Sequence, residues 1–114
     1  MPNRRVAVLC RHAPLGRHRS EEAIDAILTL AAMGLEVQVI YCDDGVYQWL
    51  PRDGQPIWRG LAEFAEYDID EIVVEAESLA ARGLTAADLV GDVTILPRAA
   101  VFESLRTADQ VISL

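Results

Sequence analysis

Arg5-Val6-Ala7-Val8-Leu9-Cys10, then Ser20-Glu21-Glu22-Ala23-Ile24-Asp25-Ala26-Ile27-Leu28-Thr29-Leu30-Ala31-Ala32-Met33-Gly34, then Leu35-Glu36-Val37-Gln38-Val39-Ile40-Tyr41-Cys42, is the stretch on which the fold turns. The first run is short and apolar without alternation, as in a strand buried on both faces. The second has a helix start in Ser20, with Glu21 and Glu22 in the first turn, and a helix stop in Gly34. Asp25 and Thr29 make only a narrow polar stripe, which predicts a helix covered by more than one neighbour. The third run alternates and then becomes continuously apolar. Strand, helix and strand in that order form a parallel βαβ unit.

The same alternation continues outward. Asp43-Asp44-Gly45 reads as a sharp turn. From Val46 to Trp58 the chain is aromatic and broken. A short helix is expected within Gly60–Tyr67, a third strand at Ile72–Glu75 and a short helix at Glu77–Arg82, stopped by Gly83. Thr85 and Asp88 have capping-box spacing. Val93–Leu96 is a fourth strand, Ala99–Thr107 a helix and Val111–Leu114 a fifth strand. With Val6–Cys10 and Val37–Cys42 this makes a three-layer α/β/α fold around a five-stranded parallel sheet, flavodoxin-like in shape, with residues 1–114 as one domain.

Composition narrows the classes. The 114 residues are 52% apolar, enough for a packed core. Net charge is −8, and every basic side chain is arginine. Arg4, Arg5, Arg11, Arg17 and Arg19 make residues 1–20 purely basic, so the rest holds all 18 acidic residues and the other five arginines. Such an acidic body repels polyanions, so direct nucleic-acid binding by this chain alone is not expected. No apolar run approaches the ~20 residues of a membrane span. No secretory signal is visible, and a cytoplasmic location with two reduced thiols, Cys10 and Cys42, is expected.

In an open α/β sheet, ligands sit at the carboxyl ends of the strands. Cys10-Arg11-His12, Cys42-Asp43-Asp44-Gly45 and Glu75-Ala76-Glu77-Ser78 lie there. No phosphate-binding glycine loop, catalytic serine motif or metal-ligand spacing occurs, so no cofactor and no metal are expected. The loop with Arg11, His12, Arg17, His18 and Arg19 is either a contact for an anion or an acidic partner, or a solvated loop. Val46, Tyr47, Trp49, Leu50, Ile57 and Trp58 either pack over the core edge or are held for a partner, together with the outer side of the Ser20–Met33 helix.

Four pieces, in order, resemble a known family: Ala13-Pro14-Leu15-Gly16 after strand one, Asp44-Gly45-Val46-Tyr47-Gln48 after strand two, Tyr67-Asp68-Ile69 before strand three, and Ser78-Leu79-Ala80-Ala81-Arg82-Gly83-Leu84 after it. They resemble the TusC/DsrF branch of the DsrE/DsrF-like sulfur-relay family over essentially the whole chain, with a shorter segment from Pro51 to Glu66. The resemblance implies a five-stranded parallel α/β/α fold. It also implies a heterohexamer with related TusB-like and TusD-like subunits, which passes persulfide sulfur toward 2-thiolation of the tRNA wobble uridine, or serves sulfur oxidation in the Dsr setting. In that family the sulfur-carrying cysteine lies eight residues before the glycine of the Arg-Gly pair. Counted back from Gly83, the position is Glu75, which cannot carry a persulfide. A structural subunit without a catalytic residue is therefore implied, the motif residues Asp44, Gly45, Val46, Tyr47, Gln48, Trp49 and Trp58 being interface candidates. The alternatives are a carrier using Cys10 or Cys42, and a free-standing small-molecule binding module.

Overall fold

The computed structural model describes residues 4–13, 17–51 and 62–114. Its strands are β1 (Arg5–Cys10), β2 (Glu36–Tyr41), β3 (Glu71–Glu75), β4 (Thr94–Leu96) and β5 (Gln110–Ser113). Its helices are α1 (Arg17–Ala32), α2 (residues 62–66), α3 (Ala76–Ala81) and α4 (Arg98–Thr107). The five strands form one sheet in the order β4-β3-β2-β1-β5, and every pairing is parallel.

That order dictates the layers. β1, β2, β3 and β4 advance in one direction, so right-handed crossovers place α1, α2 and α3 on one face. The connection from β4 returns across the sheet to β5, which puts α4 on the opposite face. The side chains alternate to match. Val6, Val8, Cys10, Val37, Val39, Tyr41, Ile72 and Val74 join Ile24, Ile27 and Leu28 of α1, Phe64 of α2 and Leu79 of α3. On the other face Ala7, Ile40 and Val73 meet Val101 of α4, with Leu9, Leu96, Leu105 and Ala108 around them. α4 is also tied at its carboxyl end. Arg5 donates to Gln38 Oε1 at 2.7 Å and to Thr107 Oγ1 at 3.1 Å, while Gln38 Nε2 donates to Ser104 Oγ at 3.4 Å.

Several local expectations hold. Gly34 ends α1 with φ +85° and donates to the Ala31 carbonyl. Thr85 and Asp88 form a capping box at the 3₁₀ turn Ala86–Asp88, with Asp88 Oδ2 accepting from Thr85 N at 2.8 Å. Two expectations are corrected. α1 begins at Arg17, so Ser20 lies inside it rather than capping it; arginine is a good helix former and extends the helix backward by a turn. In the lone chain the outer side of α1 at Glu22, Asp25, Thr29 and Ala32, and Met33 just after it, is exposed, the side expected to face a further neighbour.

The second correction is at Asp43-Asp44-Gly45. This is no simple turn but the start of a 3₁₀ helix, Asp43–Trp49. Gly45 makes it possible by packing directly against β1: a Cβ on it would lie 2.1 Å from the Cys10 carbonyl oxygen. The helix closes into the core. Val46 and Trp49 are both fully buried, and Trp49 meets Tyr41 edge to face at 5.5 Å between ring centroids. Gly45→Ala should therefore destabilise the fold by about 3 kcal/mol or more, with Trp49→Ala costing about 3–5 kcal/mol. Urea unfolding followed by circular dichroism measures both; a neutral Gly45→Ala would mean that β1 and the 3₁₀ helix are not in contact.

Candidate functional site

The carboxyl edge of the sheet gathers the residues that the sequence singled out. Two of the motif pieces lock into each other there. Ser78 Oγ accepts from the backbone N–H of Asp43 at 2.8 Å. Arg82 Nε donates to Asp44 Oδ1 at 3.0 Å, its Nη2 lies 2.9 Å from the same oxygen, and its Nη1 donates to the Ser78 carbonyl at 3.0 Å. The Arg82 guanidinium also sits 6.0 Å from the centre of the Tyr47 ring, in cation–π range. On the β1 side, Gln48 Nε2 donates to the His12 carbonyl at 3.0 Å, and the Cys42 N–H to the Cys10 carbonyl. The 3₁₀ helix is thus fastened to the ends of β1 and β3 by its own motif residues.

The remaining contact spans β3 and β4. These neighbours are followed by helices on opposite faces, which makes the gap beyond them the switch point where open α/β sheets admit ligands. Here it is closed. Glu75, the last residue of β3, is 4% exposed. Its Oε1 accepts from Ser78 Oγ at 2.6 Å and from Arg98 Nη2 at 3.1 Å, and its Oε2 accepts from Arg98 Nε at 3.3 Å. Glu77 Oε1 accepts the backbone N–H of Arg98 at 2.8 Å. Beside this clasp is a cleft of about 340 Å³ lined by Leu9, Arg11, Cys42, Asp43, Glu75, Arg98, Val101, Phe102 and Leu105.

The electrostatics follow from that packing. Burial opposes ionisation of Glu75, but hydrogen bonds from Arg98 and Ser78 and the charges of Arg98 and Arg82 outweigh it, so its pKa falls below the ordinary 4.5. The two thiols move the other way. Burial, with Cys42 nearby, pushes Cys10 up to about 12. Burial, with Asp43 and Glu75 nearby, pushes Cys42 up to about 11 against the opposing pull of Arg11 and Arg98. Their side chains also leave neighbouring strands toward opposite faces, Cys10 packing with the three-helix core and Cys42 lining the α4 cleft.

Among the interface candidates, Gly45, Val46, Gln48 and Trp49 are buried in the chain itself and have no surface left for a partner. Asp44 is exposed, and Tyr47 and Leu50 are half-buried. Ile57 and Trp58 lie outside the described residues, as do Pro14, Leu15 and Gly16. Arg11 and His12 are exposed. Arg98 was missed by sequence reasoning. The rule that picked out the ends of the first three strands also applies to β4, and Pro97-Arg98 follows it directly.

Because the folded-state pKa of Glu75 is lowered, its charge stabilises the fold fully at neutral pH, and that contribution disappears as acid protonates it. Glu75→Gln keeps the shape and removes the charge. The wild-type protein should exceed this variant in unfolding free energy at pH 7, and the gap should close as the pH falls below 4.5. Urea titrations across that range measure it; a gap independent of pH would mean that the carboxylate charge plays no part in the clasp.

With the geometry in place, comparison with known proteins is direct. The sequence pattern of the DsrE/DsrF-like family matches residues 4–114. A "Protein TusC homolog" of Vibrio parahaemolyticus is 39% identical over 114 aligned residues, covering 92% of this chain and 94% of that protein. The "Intracellular sulfur oxidation protein DsrF" of Allochromatium vinosum is 39% identical over 89 residues, covering 72% of this chain and 65% of that protein. The crystal structure of the ychN protein from E. coli superposes with a TM-score of 0.81 at 17% identity, covering 97% of this chain and 99% of that one, a likeness of fold. The chain belongs to the DsrE/DsrF-like family.

Proposed function

We propose that this chain is a non-catalytic structural subunit of a TusBCD-type sulfur-relay complex, a heterohexamer with TusB-like and TusD-like partners that passes persulfide sulfur toward 2-thiolation of the tRNA wobble uridine. The observation that carries this reading is Glu75. At the place where the family resemblance puts the carrier cysteine stands a buried carboxylate, held by Ser78 and Arg98 across the mouth of the switch-point crevice. A carboxylate offers no sulfur nucleophile.

The chemistry of the two cysteines supports the same reading. Sulfur relay needs a thiolate. Burial pushes Cys10 up to about 12 and Cys42 up to about 11, so both stay thiols at neutral pH. Both should resist iodoacetamide at pH 7 to 9 in the folded protein and react appreciably only above pH 10; rapid labelling of either at pH 7 would restore the carrier alternative.

A second reading has one observation in its favour. The match to DsrF, at 39% identity, supports a DsrF-type subunit of a complex in sulfur oxidation. The TusC homolog of Vibrio parahaemolyticus matches over a larger share of this chain, which favours the tRNA setting. The test uses a strain lacking this chain. The wild-type gene and a Cys10→Ser, Cys42→Ser double variant should restore 2-thiouridine in tRNA to nearly the same level, and the chain should co-elute with its two partners. Loss of thiolation in the double variant with an intact complex would place sulfur chemistry on this chain. Normal thiolation in the deletion strain with defective sulfur oxidation would favour the DsrF-type role.

A further inference from the structure

The amino edge of the sheet, opposite Glu75, gathers acids that the carboxyl-edge joint does not use. Glu36 begins β2, Asp70 and Glu71 lead into β3, and Asp92 stands just before β4. Asp68 follows α2, within the Tyr67-Asp68-Ile69 piece. All five carboxylates are exposed, and none forms an ion pair with a described residue. Elsewhere acids meet bases, Asp44 with Arg82, Glu75 with Arg98 and Glu103 with Arg106. Two clefts of about 460 and 290 Å³ run among the five and share Asp68, Ile69 and Asp70. They make one groove, with Phe64, Ile69 and Ile72 as apolar lining and no basic side chain among its described residues. Tyr67, 43% exposed, lines the smaller cleft, and Met33, 69% exposed, stands beside its Gly34.

We propose that this groove docks a basic segment of a separate protein, one that carries several arginine or lysine side chains together with apolar ones. Three properties of the groove select that occupant. First, the carboxylates are strung along it. Among the described residues no three acidic, histidine or cysteine side chains converge as a metal site requires. A single cation therefore meets few of these charges, whereas charges spaced along a chain meet several. Second, the apolar lining, with an aromatic ring and a flexible thioether at the rim, rewards burial by apolar side chains. A wholly polar polycation leaves that surface uncovered. Third, the unpaired acids repel one another in the free chain, and a basic partner relieves that repulsion. The same field turns away nucleic acid and anionic lipid. The proposal does not depend on the relay reading.

The test is fluorescence anisotropy with a labelled peptide alternating arginine and leucine, titrated with the purified chain. The peptide should bind, added salt should weaken the binding, and the same peptide with glutamate for arginine should not bind. Asp70→Asn combined with Glu71→Gln should weaken it about tenfold, the effect of losing two exposed ion pairs. Tyr67→Ser should weaken it by a similar factor. Melting of the acid variant should be unchanged or raised, since no partner within the chain is lost and like charges are removed. Spermine should compete poorly. A wild-type chain that ignores the peptide overturns the proposal, as does binding indifferent to these substitutions or a groove that prefers spermine. The titration is repeated on the chain co-purified with its partner subunits. Binding there supports a docking edge for a separate protein; binding to the lone chain only would make the groove an assembly surface and overturns the proposal.

Discussion

The hydroxyl of Ser78 serves two strand ends at once. It donates to the Glu75 carboxylate and accepts from the Asp43 N–H. Through Glu75 it reaches Arg98, and hence the end of β4. Three of the four loops that leave the carboxyl edge of the sheet before β5 are therefore tied to one side chain or its immediate partner. A hydroxyl can do this because it donates and accepts simultaneously. In the buried setting around Glu75, each such bond must be made, since an unmet carboxylate would cost far more than the bond itself contributes. Arg82 adds the outer brace, joining the Ser78 carbonyl to Asp44. The two sequence pieces that marked the family are the two halves of this joint.

Much of the fold was legible because its signals are local. Apolar runs of five or six residues between helix starts and stops give parallel strands, whereas the order β4-β3-β2-β1-β5 was not legible, because right-handed crossovers are compatible with several orders. What was not legible depends on approach through space. Asp43-Asp44-Gly45 has the composition of a turn. Only the proximity of the Cys10 carbonyl, 2.1 Å from a would-be Cβ, explains why glycine is needed and why the chain curls into a 3₁₀ helix. Trp49 is similar. A tryptophan in a broken, proline-flanked segment reads equally as anchor or core, and the decision is made by Tyr41, eight residues earlier, at 5.5 Å between ring centroids.

The candidate site was half legible. Glu75 was found by counting within a motif, and its meaning was chemical: a carboxylate where a thiolate would be required. Its partner Arg98 lies 23 residues away, and no periodicity links the two. The cysteines show the same divide. Their presence at strand ends suggested reactivity, while their burial, a property of the folded chain, pushes both thiols far above neutral pH.

The unequal covering of the sheet also bears on how the chain comes to be made. Three helices clothe one face from within the first four strands, so that side can assemble while synthesis proceeds. Ala7, Ile40 and Val73 must wait for α4, whose first residue is Arg98. β1, the first strand to emerge, must wait longer still for β5 to close its free edge. Until α4 and β5 have formed, the chain carries a bare apolar face and an open strand edge along β1, the features that invite chaperones or aggregation. Completion of α4 and β5, rather than of the strands before them, sets the moment at which this sheet is closed.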